Sequence, residues 1–384
     1  MTIREQIIDA SLPPPAAANL RAEFDAPRPC TVGLEEELML LDPETLDLKA
    51  HARAAIEALG GDERFKLELP AAQLESLTVP SPTVTAAAAA LREARRDLRA
   101  AIDGDALVAA AGTHPFADAL GELNDGPRFE ALGAEFASIA KRQLVFGLHV
   151  HVAVTGADRA VAVHDALRSY LPELTALAAN APFHEGRESG LASVRPTIAS
   201  MLPRQGVPPA LGSWDAFAGA MRWGGRSGAL PDARRWWWEL RLHPLFGTIE
   251  VRVADTQTTV AETAAVAAVV HALVAWLAER HEHGEQLPAD PTWRICENRW
   301  WAARDGLDAH LADLVTGKRA PVRERLERLL EELGPTAQRL ECGAELELAR
   351  SLAGGAGGAG RQRAVAGGGG LHELVAWLVA RFEA

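Results

Sequence analysis

Two short runs in this 384-residue chain carry side chains that could do chemistry. From Thr248 to Val253, Thr248, Glu250 and Arg252 point one way, and Ile249, Val251 and Val253 point the other. That is the period of a β-strand with one apolar face. The segment Thr31–Leu40 answers it; if extended, it sets Glu35 and Glu37 on one face about 7 Å apart. A strand face with paired carboxylates and a guanidinium does not suit an ordinary core. It suits divalent cations and phosphate, because buried carboxylates need a cation and arginine grips phosphate oxygens two at a time. The plainer alternatives are a solvated acidic edge at Glu35 and Glu37, and a cross-strand salt bridge from Glu250 and Arg252 to Glu239 or Arg241.

Further candidates repeat the pattern. Glu68, Gln73 and Glu75 form a second oxygen-rich cluster, of hard ligands suited to Mg²⁺, or else a polar strand face. His149-Val-His151 puts two imidazoles on one side of a strand. That spacing fits zinc, and equally fits contact with a nucleotide or a carboxylate; no cysteine stands nearby and carboxylates abound, which disfavours zinc. Arg187, Arg195 and Arg204 lie in a Gly/Ser-rich stretch that could bind an anion or remain a solvated basic loop. Asn298 and Arg304 share one helix, which could also simply pack through Trp300 and Trp301. No G-x-x-x-x-G-K-[ST] occurs, and the one G-x-G-x-x-G, Gly355 to Gly360 in the glycine-rich tract, follows no expected strand, so neither P-loop nor Rossmann nucleotide binding is expected.

These residues need elements to position them. Strands are expected at Thr31–Leu41, Lys66–Leu69, Gln73–Val79, 106–111, 144–154 and 236–255. Helices are expected at 82–102, 127–142, 158–180, 259–282, 291–317 and 321–350. The order lacks a βαβ rhythm, so the expected class is α+β with a mainly antiparallel sheet. Residues 1–28 read as a lead-in, a short helix and then a loose Pro/Ala stretch, 29–350 as a single domain, 351–370 as a Gly-rich flexible segment and 371–384 as a terminal helix. The segment 181–235 reads as long and irregular. The apolar run near Thr263–Ala278 contains His271 and is short for a bilayer, so it reads as a buried helix and no membrane partner is expected. A net charge of −13 argues against nucleic acid. Three scattered cysteines and the absence of an apolar leader in Met1–Leu20 fit a reducing cytoplasm. A homodimer through a sheet edge or a helix is compatible with the sequence.

Taken in order, Gly33-Leu-Glu-Glu-Glu37, Gln73-Leu-Glu75 with Thr78, Gly112-Thr-His-Pro115, Gly147-Leu-His-Val-His-Val152, Thr248-Ile-Glu-Val-Arg-Val253 with Asp255, and Asn298 through Gly306 resemble the carboxylate–amine ligase family, the type-2 glutamate–cysteine ligases. A Gln-Arg pair at 362–363 also sits as that family's C-terminus would. The stretch 186–206 and the glycines at 354–360 depart from the pattern. The resemblance implies a glutamine-synthetase-like fold, a curved sheet with helices on its outer face whose concave side holds ATP and Mg²⁺. It implies Glu35, Glu37, Glu75 and Glu250 as metal ligands, with His149 on the metal or nucleotide side. It implies that Arg252 contacts the transferring phosphate, with Glu250 beside it in catalysis. Gln73, His151, Arg187, Arg195, Asn298 and Arg304 would serve substrate or nucleotide. The implied reaction joins a carboxylate, glutamate by the family's name, to an amine such as cysteine through an acyl phosphate. A phosphotransferase on the same sheet, a zinc hydrolase using His149 and His151, and a non-catalytic relative are the rival readings.

Overall fold

In the computed structural model, residues 17–230, 235–243 and 246–384 are described. The alternating segments found in the sequence become the strands of one sheet. Its members are β1 (Val32–Leu41), β2 (Phe65–Leu67), β3 (Gln73–Leu77), β4 (Leu107–Ala109) and β5 (Gly147–Ala153). The short β6 (Phe183–His184) and β7 (Arg187–Glu188) form a separate hairpin; β8 (Leu240–His243) and β9 (Thr248–Asp255) rejoin the sheet. A second hairpin pairs β10 (His310–Ala312) with β11 (Arg319–Pro321). The strand order is β2-β3-β1-β5-β9-β8, every pairing is antiparallel, and β4 pairs with the far end of β1.

Register then places the polar residues. Glu37 faces Glu75, Glu35 faces His149, His151 faces Glu250, and Glu250 faces Arg241. A shift in the β5–β9 pairing between Leu148 and Val150 lets one strand bend there. With period 2, the intervening residues fall on the opposite face. Val32, Leu34, Leu148, Val150, Val152, Leu240, Leu242, Ile249 and Val251 are all buried there, in one apolar cluster with the helices that back the sheet.

The chief backing helix is Val260–Glu282. It opens on a reciprocal cap, Thr259 Oγ1 accepting from the Glu262 amide and Glu262 Oε2 from the Thr259 amide, a start worth roughly 1 kcal/mol. The helix is long and apolar enough to cross a bilayer by composition, yet 89% of its most apolar window is buried inside the protein. It is the core helix that the sequence reading expects.

Several expectations need correction. Of the 1–28 lead-in, residues 1–16 lie outside the described residues, while Ala17–Asp25 is helical. The irregular stretch 181–235 holds the helix Trp214–Ser227, capped by Ser213 and ended by Gly228 in the left-handed conformation. The expected helix 291–317 stops at Asp305 and gives way to the β10–β11 hairpin. The largest difference is at the glycine-rich tract, which is helical: Gly343–Gly354 and Gly357–Ala380, with a break at Gly370. A helical glycine costs about 1 kcal/mol against alanine, but packing outweighs it here. Gln362 is buried on Asn180, and Leu374, Val375, Leu378 and Phe382 are buried in the core. The chain beyond residue 350 therefore shares the core of the rest.

Candidate functional site

On the face of the sheet opposite the apolar cluster, β3, β1, β5, β9 and β8 turn polar side chains toward one another. The sequence alternation forces this: Gln73 and Glu75, Glu35 and Glu37, His149 and His151, Glu250 and Arg252 each occupy every second place on their strand. Glu35 is central. Its Oε2 lies 3.3 Å from His149 Nδ1 and its Oε1 lies 3.3 Å from His151 Nε2. Glu250 is fully buried and gripped from two sides. Arg241 donates to it through Nε at 2.5 Å and NH2 at 3.0 Å, and Arg252 adds an ion pair from NH1. The NH1 of Arg252 also lies 3.2 Å from His149 Nδ1.

Two groups of donor atoms could each hold a cation: Glu35 with Glu75 and His149, and Glu35 with His151 and Glu250, the atoms of each group lying within 4.8 Å of one another. Glu35 belongs to both. The two imidazoles of His149-Val-His151 therefore fall into different groups; among the described residues no group pairs them as a zinc chelate. Glu37 stands beside these groups. Its Oε2 accepts from the Gly147 amide and its Oε1 lies 3.9 Å from His149 Nε2.

The electrostatics fit missing positive charge. Burial pushes Glu37 up to about 7 against the pull of Arg195 and Arg252. Burial, with Glu35 and Glu68 adding repulsion, raises Glu75 well above the usual carboxylate range. Burial would raise Glu35 and Glu250 too, but His151 and His149 hold Glu35 well below the ordinary value, and Arg241 and Arg252 do the same for Glu250. Burial and Arg252 lower His149 to about 4, leaving a neutral ring able to ligate. Burial opposes a charge on His151, yet Glu35 and Glu250 raise its pKa. One buried atom on this face, Gln73 Oε1, has no hydrogen-bond partner among the described residues. Carboxylates that are destabilised by one another, neutral imidazole and an orphaned amide oxygen are what a hard divalent cation relieves.

Arg195 joins from the helix Arg195–Ala199. Its NH2 and NH1 donate to the carbonyls of Arg252 and Val253 at 3.0 and 3.3 Å, and NH1 lies 3.8 Å from Asp255. Gly147 makes the room, since a Cβ there would collide with the Arg195 guanidinium. Asp255 is itself fixed by the Asn180 amide at 2.7 Å and Ser193 Oγ at 2.9 Å, and Gln362 braces Asn180 from behind.

Three expected residues are not brought to this face. Arg187 is exposed and paired with Glu185. Arg304 is exposed and paired with Asp305. Asn298 is buried but spends its amide on both backbone groups of Ala312, fastening its helix to β10. Sequence reasoning left Arg241 only as a salt-bridge partner and passed over His243, which stacks on Phe246 with ring centroids 4.2 Å apart. The signal was present: Glu239-Leu-Arg-Leu-His243 alternates just as β9 does. Glu239 is paired with Arg299, and its carbonyl accepts from the Arg252 amide at 2.7 Å.

Comparison with known proteins adds an independent line. Residues 31–374 match the family model described as glutamate-cysteine ligase family 2. A protein of Rubrobacter xylanophilus, provisionally named glutamate–cysteine ligase 2-3, is 39% identical over 365 residues, covering 94% of this chain and 99% of its own. A provisionally named glutamate–cysteine ligase 2 of Thermobifida fusca is 36% identical over 371 residues, covering 94% and 93%. Among solved structures, a glutamate–cysteine ligase from Francisella tularensis in complex with AMP superposes with a TM-score of 0.70 at 13% identity, covering 94% of this chain and 89% of that one. The complex of the prokaryotic ubiquitin-like protein Pup with its ligase PafA gives 0.52 at 13%, covering 91% and 71%. At such identities the likeness is one of fold: a glutamine-synthetase-like, mainly antiparallel sheet backed by helices.

Proposed function

The chain belongs to glutamate–cysteine ligase family 2, and from that premise we propose that it couples ATP cleavage to amide-bond formation on the polar face of its sheet. The observation that carries this reading is the pair of donor groups sharing Glu35, with Arg252 alongside. An amino-acid carboxylate, glutamate in the first instance, attacks the γ-phosphoryl group of ATP to give an acyl phosphate and ADP. An amine then displaces phosphate and leaves the amide.

Such phosphoryl transfer asks a protein for alignment and neutralisation of charge rather than covalent chemistry. Glu35, Glu75 and His149 would hold one Mg²⁺ and Glu35, His151 and Glu250 another, with Glu37 and Gln73 beside them. Bound there, Mg²⁺ would neutralise the phosphates and polarise the transferring group. Arg252, held in place by Glu250, presents a guanidinium to the oxygens of the phosphoryl group in transit. Arg241 fixes Glu250 from the other side, so the carboxylate cannot swing to Arg252 alone. Arg195, anchored on the backbone of Arg252 and Val253, offers a second buried positive charge for an anionic substrate group. The free thiols of Cys30, Cys296 and Cys342 support a reducing, cytoplasmic setting.

The test is release of ADP together with an amide product, measured with glutamate and a panel of amines in the presence of Mg²⁺. ADP without amide, with a stable phosphorylated product, would turn the reading toward a phosphotransferase. Undiminished turnover in Arg252→Ala would remove Arg252 from the chemistry.

A further inference from the structure

The residue between the two front-face glutamates of β1 points backward into the apolar cluster, and it is a glutamate as well. Glu36 is 0% exposed. It is met by Arg95, also 0% exposed, from the helix Val84–Ala101, with Nε at 2.7 Å and NH2 at 2.6 Å. The remaining donors of Arg95 go to backbone carbonyls: NH1 to Phe382 at 2.5 Å and Thr258 at 3.2 Å, and NH2 to Gln257 at 3.2 Å. A guanidinium has five N–H groups, and these five bonds use them all. A buried ion pair of this kind is a poor device for stability alone, because well-packed apolar side chains of like volume often do as well or better.

Its location gives it another use. Along one edge, β1 pairs with β5 as far as Glu36, opposite Leu148, and is next paired with β4 from Met39, opposite Ala109. At this change of partner the segment after β9 steps in. Thr256 Oγ1 donates to the Glu37 carbonyl at 3.0 Å, and the Thr256 amide donates to the Phe146 carbonyl at 3.0 Å. Arg95 holds the next two residues of that segment and Glu36 together. The strand carrying Glu35 and Glu37 is thus tied, at the point where its ladder is interrupted, to the end of the strand carrying Glu250 and Arg252.

We propose that Arg95, Glu36 and Thr256 are positioning residues: from behind the sheet they set the separation of the Glu35 and Glu37 carboxylates from the imidazoles of β5 and the Glu250 carboxylate of β9, and so tune cation binding. This rests on the proposed cation-dependent ligase reading.

The test uses Thr256→Val, which keeps shape and loses one hydrogen bond, and Arg95→Lys, which keeps charge and loses the fork. For each, Mn²⁺ binding is followed by electron paramagnetic resonance of the free ion, alongside thermal unfolding, and ATP-dependent turnover is measured as a function of Mg²⁺. The expected result is Mn²⁺ affinity weakened by about tenfold or more, in a folded protein. Turnover should be regained at high Mg²⁺ and the KM for the amine should be unchanged. Folded Thr256→Val with wild-type Mn²⁺ affinity overturns the proposal, whether or not Arg95→Lys folds. If the wild type binds Mn²⁺ yet makes no amide, the ligase reading fails and the positioning role survives. If the wild type ligates while both variants bind Mn²⁺ normally, the reverse holds.

Discussion

The two faces of one strand handle charge in opposite ways. On the back of β1, Glu36 is matched bond for bond by Arg95 and fully buried. On the front, Glu35 and Glu37 stand among Glu75, Glu250, His149 and His151, and the positive charge present leaves Glu37 and Glu75 with raised pKa values. One face is finished by the chain itself; the other, on the function proposed above, is completed by a bound cation. A difference of this sort separates a structural ion pair from a candidate site, although both are built on glutamates of the same ten residues.

The comparison can be broken hardest at Glu250. Glu250→Ala should lower ligation by more than ~10²-fold, several kcal/mol of barrier, in an ADP-release assay, because Arg252 loses its anchor and a cation loses a ligand. The back-face counterpart is Leu34→Ala. Removing that fully buried side chain should cost about 2–5 kcal/mol of stability in chemical denaturation, with little change in turnover per folded molecule. Gly147→Ala should lie between. The added methyl group pushes on Arg195 and His149, and overpacking of this kind costs about 1–3 kcal/mol, read here mainly as reduced turnover.

Titration sharpens the same contrast. A carboxyl group whose folded pKa is raised stabilises the native state below its unfolded pKa and loses that contribution as pH rises through the folded value. With Glu37 at about 7, the cation-free protein should lose thermal stability between about pH 4.5 and 7. Added Mg²⁺ should restore more at the upper end of that range than at the lower, and Glu37→Gln should flatten the slope. The smallest effect belongs to Arg187→Ala. Its pairing with Glu185 is exposed, so melting temperature and turnover should both stay at wild-type values.

Much of the site was legible because period 2 is a strong constraint. Once Thr248–Val253 and Gly33–Leu38 are strands, the facing of Glu35, Glu37, Glu250 and Arg252 follows without knowledge of the fold. His149 and His151 follow in the same way, but their division between two donor groups depends on which strands flank β5, and that is a matter of topology. Arg195 was legible only as one arginine among several in an irregular stretch. Nothing local distinguishes it from Arg187; the difference is that its helix packs against the end of β9 while Arg187 sits on a two-residue hairpin. The helix at Trp214–Ser227 carried its own signals in Ser213 and Gly228, which were lost among neighbouring glycines and arginines. The helix Gly357–Ala380 was hidden for a deeper reason. Its composition opposes helix, and the contacts that overrule the composition, such as Gln362 with Asn180, join residues far apart in the chain.

The most direct measurement is anomalous diffraction from crystals grown with Mn²⁺ and a non-hydrolysable ATP analogue. Two metal peaks are expected on the polar face of the sheet, one touching Glu35, Glu75 and His149, the other touching Glu35, His151 and Glu250. Well-ordered analogue with no peak at Glu35, or with metal held by residues away from this face, would contradict the assignment of the site.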